Sequence, residues 1–396
     1  MHNPEVQPGR SPKTRRLLPG LLLLACIATL AGLYAWQTAR VKVIRIGVGQ
    51  PLSGELAAMG QDMVNGARMA VDTINAAGGV EVDGRYLPLE LVTADDRANA
   101  EAGVRAAQAL VAQGVVAVIA HLNSGVSIAA APVYAQAQIP QLAISTNPRY
   151  TRLALPTTLR LVANDEVQAR AMAGFASSMS GAQRFALVDD GSPFGKDLGA
   201  EVARLLARSG QSLRVQQSLD GKTTDFLALT KALKDGDVQV LITTLADFQI
   251  QALMQQLVGA GLSDIRIVGA DNAKTEQMLR QAVPIRALYA TSPIISPTEI
   301  PTAKPFLRAF QQRYNNPPNY AAHYAHDAVM VVADAIRRNG SLDQVQLLRT
   351  LKTFDGYAPV LGQLRMKEDG EQRYGSVGVY RVAKGQWELQ VRTSDW

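Results

Sequence analysis

The chain has 396 residues, of which 47% are hydrophobic and 19% are charged, and this composition favours two folded domains over a disordered or repetitive chain. The formal net charge is +6, but six basic residues and one acidic residue lie within residues 1–43, so the rest of the chain is nearly neutral. Nucleic-acid binding therefore has little support. The single cysteine, Cys26, excludes a disulfide, a thiol nucleophile and a cysteine metal cluster from the chain after residue 43.

Residues 17–36 are mostly apolar and follow a basic cluster around Arg15, and their number suits a bilayer core of about 30 Å. Three interpretations stay open: a signal peptide cleaved near the small residues at 29–31, a retained anchor that keeps membrane contact, or a lipoprotein signal around Cys26. Because the basic cluster stays inside, each interpretation predicts that the body lies in the periplasm or at the outer face of the cytoplasmic membrane.

A strand, a turn and a helix follow within residues 44–79. Residues 43–48 are rich in β-branched side chains, Pro51 and Gly54 break the run, and apolar residues then recur at helical spacing from residue 63 to residue 74. The pair Gly78-Gly79 is typical of a helix end.

Strands and helices alternate along most of the remaining chain, which predicts α/β architecture with mainly parallel sheets. Buried strands are predicted at residues 87–91, 115–120, 185–190, 239–244 and 265–270. Helices are predicted at residues 101–113, 167–179, 199–209, 226–234 and 249–260. Four prolines spaced four apart predict a surface loop at residues 293–305.

Catalytic motifs are weak. The pair Gly47-x-Gly49 follows a strand, but Leu52 stands where a dinucleotide fingerprint needs its third glycine. His323 and His326 share a helix without the glutamate of a zinc-protease motif, which favours an ordinary helix face over a metal site. We therefore predict no enzyme, no cofactor and no metal; a cofactor-using α/β enzyme is the alternative that these gaps disfavour.

Two pairs of adjacent carboxylates end predicted strands, at Asp95-Asp96 and at Asp189-Asp190. The carboxyl end of a parallel strand is where α/β proteins commonly carry function. The chain has only four histidines, so it offers few side chains suited to acid-base catalysis. We predict that both pairs are turn and cap residues.

Nine segments in order resemble the type I periplasmic binding proteins, specifically the family that binds leucine, isoleucine and valine for ABC transporters. They are IGVGQPLSG, DTINAAGGV, LELVTADD, VVAVIAHLNSG, AISTNP, VDDGSPFGKD, LVGAGL, IVGADN and YAHDAVMVVADAI, spread over most of the chain. The resemblance implies two α/β lobes with three hinge crossings that close over a small ligand.

The resemblance also implies how the chain divides. Residues 1–43 form the tail, the signal or anchor segment and a linker. Residues 44–163 with 291–373 form lobe one, and residues 164–290 with 374–396 form lobe two.

The loop after strand 115–120 offers free backbone N–H groups and the Ser124 hydroxyl at a helix start, which is a natural cradle for a carboxylate. A simple helix cap is the alternative for this serine. The resemblance implies that Ser124 and its neighbour Asn123 contact ligand. It implies the same for Ser145 and Thr146, for which an ordinary Asn-Pro turn is the alternative.

From lobe two, the resemblance places Asp271 against a ligand ammonium, with a helix cap as the alternative. Met59, Phe194 and Ala246 stand at positions where the family often presents aromatic rings to the ligand. Phe194 keeps a ring, Met59 is apolar and adaptable, and Ala246 leaves space. We therefore expect a roomy and weakly polar pocket for the ligand side chain.

The resemblance implies a monomeric receptor for an amino acid, of branched-chain type, or for a related small carboxylate, delivering it to a membrane ABC permease. Two alternatives stay open: a membrane-tethered sensor of the same fold, and a receptor for an amide or an aromatic acid.

Overall fold

The structure is a computed structural model and describes residue 1, residue 29, residues 43–280, residue 282 and residues 284–395. Residues 1–43 and 44–396 form two units, and the fold below is that of the second. The predicted signal or anchor segment lies outside the described residues except for residue 29. None of the described helices is both long enough and apolar enough to cross a bilayer.

The first part of the chain builds a parallel five-stranded sheet in the order β4-β1-β5-β6-β7, with a small β2-β3 hairpin beside it. Its elements in chain order are β1 (Ile44–Gln50), α1 (Ala57–Ala76), β2 (Val80–Val82), β3 (Arg85–Leu87), β4 (Leu89–Asp95), α2 (Ala100–Ala112), β5 (Ala117–Ala120), α3 (Ser124–Gln136), β6 (Gln141–Ala143), α4 (Arg149–Arg152) and β7 (Thr158–Arg160).

The middle of the chain builds most of a seven-stranded sheet in the order β16-β15-β12-β11-β10-β8-β9. Its elements are α5 (Asp165–Ser178), β8 (Phe185–Asp189), α6 (Pro193–Arg208), β9 (Leu213–Ser218), α7 (Leu227–Asp235), β10 (Val240–Thr243), α8 (Asp247–Gly259), β11 (Arg266–Gly269), α9 (Glu276–Leu279) and β12 (Ala287–Ser292). The antiparallel strands β15 (Gly378–Ala383) and β16 (Gln386–Arg392) complete the sheet from the C-terminal end.

Between β12 and β15 the chain returns to the first sheet. It forms α10 (Lys304–Tyr314), α11 (Ala322–Asn339), α12 (Gln344–Lys352) and a hairpin of β13 (Asp355–Ala358) and β14 (Gly362–Arg365). The chain therefore passes between the two sheets three times: after β7, after β12 and after β14. This confirms the predicted α/β class with two mainly parallel sheets, while the lobe boundaries given above stay a prediction.

The element boundaries differ from the sequence prediction at two places that matter for the site. Helix α6 begins at Pro193, six residues before the predicted start, because the Ser192 hydroxyl accepts the Gly195 N–H at 2.9 Å and proline suits the first turn. Asp271 begins a short 3-10 turn instead of capping a helix, and the brief α9 follows.

Each sheet carries its own apolar core. On the first sheet, α1 and α11 cover one face, where Ile46 of β1 packs in one cluster with Met63 of α1 and Val329 of α11, all nearly inaccessible to solvent. On the second sheet, α7 and α8 cover one face, and α5 and α6 cover the other. Helices on both faces explain why the strands read as continuous apolar runs.

Close packing of α1 against the start of α11 depends on Gly66. A Cβ built at Gly66 would lie 1.9 Å from the Ala322 carbonyl oxygen and 2.5 Å from its carbon. Both partners are backbone, so no side chain can move aside to make room.

We predict that Gly66→Ala lowers the free energy of unfolding by about 1–3 kcal/mol or more, because the two helices must separate. Gly259→Ala is the matched control: Gly259 ends α8 and has no atom within 4 Å of a built Cβ, so we expect a change within about 0.5 kcal/mol. Urea unfolding of both variants measures the difference. Equal stability of the two would contradict the close helix contact.

Candidate functional site

A cavity of about 920 Å³ lies between the two sheets, at the carboxyl ends of their parallel strands. Its walls come from the loops that follow β1, β4, β5 and β6 on one side and β8, β9, β10 and β11 on the other. Tyr320, just before α11, closes it from the chain segment that returns to the first sheet. Parallel α/β sheets commonly bind ligands at such strand ends.

At the first sheet, the start of α3 offers hydrogen-bond donors to the cavity. The N–H groups of Ser124 and Gly125 have no acceptor among the described residues, and both residues line the cavity. The Ser124 oxygen accepts the Asn147 N–H at 3.3 Å, so its own hydrogen is available to a ligand. The Asn123 side chain makes no cap bond to α3, and the arrangement suits a carboxylate.

The neighbouring turn at residues 145–147 is held by a buried arginine. Arg160 is fully inaccessible and donates to the carbonyl oxygens of Ser145 and Asn147, the latter at 2.9 Å. Its charge is balanced by Glu371, whose carboxylate lies 3.0 Å from the Arg160 Nε atom. The turn carrying Thr146 is therefore held by a charge-assisted network as well as by its own Asn147 side chain, which accepts the Arg149 N–H at 2.9 Å.

Asp271 supplies a carboxylate from the second sheet. One of its oxygens accepts the Gln168 amide at 3.0 Å, and the other accepts the Tyr320 hydroxyl at 2.7 Å. Burial raises the pKa of the Asp271 carboxyl above its ordinary value, against these two hydrogen bonds. Asp271 caps no helix. It is the first residue of the 3-10 turn, and Thr275 is the residue that caps α9.

Asp62 of α1 holds the backbone on both sides of Tyr320. The Asp62 carboxylate accepts the N–H groups of Asn319, Tyr320 and Ala322 at 2.7, 2.9 and 2.8 Å. Burial raises the pKa of Asp62 to about 6, and the backbone N–H donors oppose that rise. A residue from α1 thereby fixes the backbone that carries the Tyr320 ring to Asp271.

Polar side chains also join the two sides at the cavity edge. The Asn147 amide donates to Asp197 of α6 at 2.8 Å, and Arg149 lies 3.6 Å from the same carboxylate. Gly125 of α3 faces Pro193 of α6 so closely that a Cβ would lie 3.1 Å from the proline ring. The two sides are thus in contact around the cavity.

The cavity brings together six of the seven residues predicted to contact ligand. The six that line it are Met59, Asn123, Ser124, Thr146, Phe194 and Asp271. Ser145 does not line it: its hydroxyl donates to the His121 carbonyl oxygen at 3.2 Å and pairs with the Ser127 hydroxyl behind the wall. Ser145 therefore lies behind the cavity wall while Thr146 lines it, and ligand contact at the seven residues stays a prediction.

Both carboxylate pairs hold the turns in which they lie. Asp95, Asp189 and Asp190 accept N–H groups of their own turns, as predicted. Asp96 likewise accepts the Ala98 N–H of its own turn at 2.9 Å. It is also fully buried and lies 2.8 Å from the His121 Nδ1 atom, which makes it a brace for the loop that carries Ser124.

His323 and His326 lie on α11 inside the fold. His323 bonds the Ile295 carbonyl oxygen at 2.8 Å, and burial lowers its pKa to about 3. His326 lies 2.8 Å from Asp327. Within the described residues, no group of three or more potential ligands could hold a metal ion.

Sequence reasoning missed Tyr320, Asp62, Gln168 and Arg160. Their signal in the sequence is faint: Tyr320 follows two prolines just before a helix, and the others sit within helices or a strand as single polar residues. Each of these residues contacts a partner that is distant in the sequence.

This fold and cavity define a two-sheet α/β protein with room for a small solute between the sheets. A sequence model described as "Periplasmic binding protein" matches residues 43–386, and the chain belongs to that family. Its function is to bind a solute, and the family name agrees with the predicted periplasmic location.

The relatives are similar over most of their length. The chain is 26% identical to Leu/Ile/Val-binding protein homolog 1 of Brucella abortus (strain 2308), covering 94% of this chain and 97% of that one. The isoleucine complex of the branched-chain amino acid transporter substrate-binding protein LivJ from Streptococcus pneumoniae has 26% identity and a TM-score of 0.76, covering 89% and 100%. The leucine-binding protein LivK of Thermotoga maritima shares the fold, with 24% identity, a TM-score of 0.79 and coverage of 89% and 100%.

Asp165 is a second buried carboxyl near the site, at the start of α5. Burial raises its pKa from an ordinary value of 3.8 to about 8; nearby Asp271 adds to the rise, while the Thr146 hydroxyl and Arg160 oppose it. The folded chain therefore holds a proton here that the unfolded chain releases above about pH 4.

We predict that wild type loses stability relative to Asp165→Asn as pH rises from about 4 to 8, by up to about 1.4 kcal/mol per pH unit. The sign follows from the raised pKa: this contribution is complete below the unfolded pKa and is lost as pH rises through the folded one. The exposed Asp264→Asn is the control. Unfolding free energies at several pH values test this, and parallel curves for wild type and Asp165→Asn would contradict it.

Proposed function

We propose that this protein is the substrate-binding protein of an ABC-type importer and binds an α-amino acid between its two sheets. The observation that carries the proposal is the pairing of opposite chemistries across one cavity. Free N–H groups and a hydroxyl at Ser124 and Gly125 suit a carboxylate, and the Asp271 carboxylate suits an ammonium. The relatives named for leucine, isoleucine and valine support the amino acid class.

In this proposal Ser124 and Thr146 hold the ligand first, and closure of the two sides then brings Asp271 and Phe194 onto it. Asn123 and Met59 complete the wall. The ligand leaves chemically unchanged, so the protein acts as a receptor and not as an enzyme. A monomer would hand the ligand to a membrane permease, in line with the transporter named for the Streptococcus pneumoniae relative.

A second candidate is a receptor for an amide or a carboxylic acid without an ammonium group. It is favoured by one observation: Asp271 already accepts hydrogen bonds from Gln168 and Tyr320, and burial raises its pKa. A protonated Asp271 would donate to a neutral ligand group instead of pairing with a cation.

We predict that Asp271→Asn weakens amino acid binding by about 2–4 kcal/mol, because a desolvated ammonium loses its counter-charge. Ser124→Ala should cost less, about 0.5–1.5 kcal/mol, because backbone N–H groups still hold the carboxylate. Isothermal titration with amino acids measures both affinities.

Asp264→Asn is the matched control, since Asp264 is exposed and lies outside the cavity. Circular dichroism checks that each variant is folded. Unchanged amino acid affinity in Asp271→Asn would overturn the proposed ammonium contact, and tighter binding of an amide by the same variant would favour the second candidate.

A further inference from the structure

Apolar residues line the cavity besides the polar groups described above. We define the distal chamber by its apolar walls: Leu56, Met59 and Leu122 from the first sheet side, and Phe194, Ala246 and Phe248 from the second. Phe194 and Phe248 begin α6 and α8, which follow the neighbouring parallel strands β8 and β10. Their rings therefore come from adjacent loops at one sheet edge.

The volume of the cavity exceeds what a branched-chain amino acid needs. Pockets of about 300–1,000 Å³ hold drug-sized ligands, and this cavity of about 920 Å³ lies near the upper end of that range. The two sides already meet through the 2.7 Å bond between Tyr320 and Asp271 and the 2.8 Å bond between Asn147 and Asp197. The space is therefore present while the polar side chains of the two sides are in contact.

The charged residues around the cavity give no reason to expect a charged side chain on the ligand. Glu55, Arg97, Asp220 and Lys222 line the cavity but are exposed to solvent and include both signs. Asp190 accepts two hydrogen bonds from Ser192, at 3.1 and 2.7 Å, and so serves its own turn. The walls of the distal chamber are uncharged, and two of its residues are aromatic.

We propose that the side chain bound in the distal chamber is aromatic, so that phenylalanine and tryptophan are better ligands than leucine, isoleucine and valine. This rests on the proposed function, because the amino acid end is held as described above. An aromatic ring fills more of the apolar chamber than a branched aliphatic group and gains ring contacts with Phe194 and Phe248. The small side chain of Ala246 leaves space in the chamber for such a ring.

Titration calorimetry of wild type with phenylalanine, tryptophan, leucine, isoleucine and valine tests the proposal. We expect the aromatic amino acids to bind at least about tenfold tighter than leucine. Leucine, isoleucine or valine binding as tightly as the aromatic amino acids would overturn the aromatic assignment while leaving the proposed function intact.

Two variants locate the preference in the chamber. Ala246→Leu fills it, and the extended backbone there (φ −69°, ψ 164°) accepts the larger residue, so phenylalanine affinity should fall about tenfold and leucine affinity should stay within about threefold. Phe248→Ala should weaken phenylalanine binding more than leucine binding. Leu227→Ala, whose side chain is 68% exposed, is the control and should change neither affinity. Equal losses for both ligands in Ala246→Leu and in Phe248→Ala would overturn the proposal.

Failure of the proposed function looks different. Asp271→Asn should weaken phenylalanine and leucine alike, because both carry the same ammonium. If no amino acid binds to wild type while phenylacetate does, both the amino acid function and this inference fail. The outcomes therefore separate an error about the side chain from an error about the amino acid end.

Discussion

The hydrogen bond from Tyr320 to Asp271 is the contact on which the arrangement of the site depends. It joins a residue of the returning segment to the carboxyl end of β11, at 2.7 Å and with Asp271 only 7% exposed. A buried carboxylate needs such donors, because an unpaired charge in this setting is strongly unfavourable. The site is therefore built around satisfying one acid, with Gln168 supplying the second donor.

Further buried charges keep the loops around that acid in place. Asp62 holds the backbone before Tyr320, Arg160 with Glu371 holds the turn at residues 145–147, and Asp96 with His121 holds the start of the α3 loop. Removing one partner of such a contact is strongly unfavourable, because the other partner is left buried and unsatisfied. Each brace thus fixes a donor or acceptor that faces the cavity, which is how a site made of loops becomes preorganised.

How much of this the sequence could predict varies with the range of the interaction. The alternation of strands and helices, and the loops that end in Ser124, Thr146 and Asp271, follow from local pattern and from the family resemblance. The placement of Ser145 did not follow, because it is set by Arg160 from the next strand and by Glu371, which lies 211 positions further along the chain.

Tyr320 escaped prediction for the same reason. Its position depends on Asp62 of α1, 258 residues earlier in the chain, and no local motif records that pairing. The predicted start of α6 was six residues late, because Ser192 and Pro193 form a capped first turn that the apolar spacing does not reveal. Local patterns thus identify which loops reach the cavity, and long-range polar contacts decide which side chains face it.

The central claim is that a zwitterionic ligand spans the cavity, with its ammonium at Asp271 and its carboxylate at the start of α3. A crystal structure of the protein with a bound amino acid tests it most directly. The account predicts the ligand nitrogen within about 3 Å of an Asp271 oxygen and the carboxylate within about 3 Å of the Ser124 and Gly125 N–H groups. A ligand lying in the opposite orientation, or one that leaves Asp271 bonded only to Tyr320 and Gln168, would contradict it.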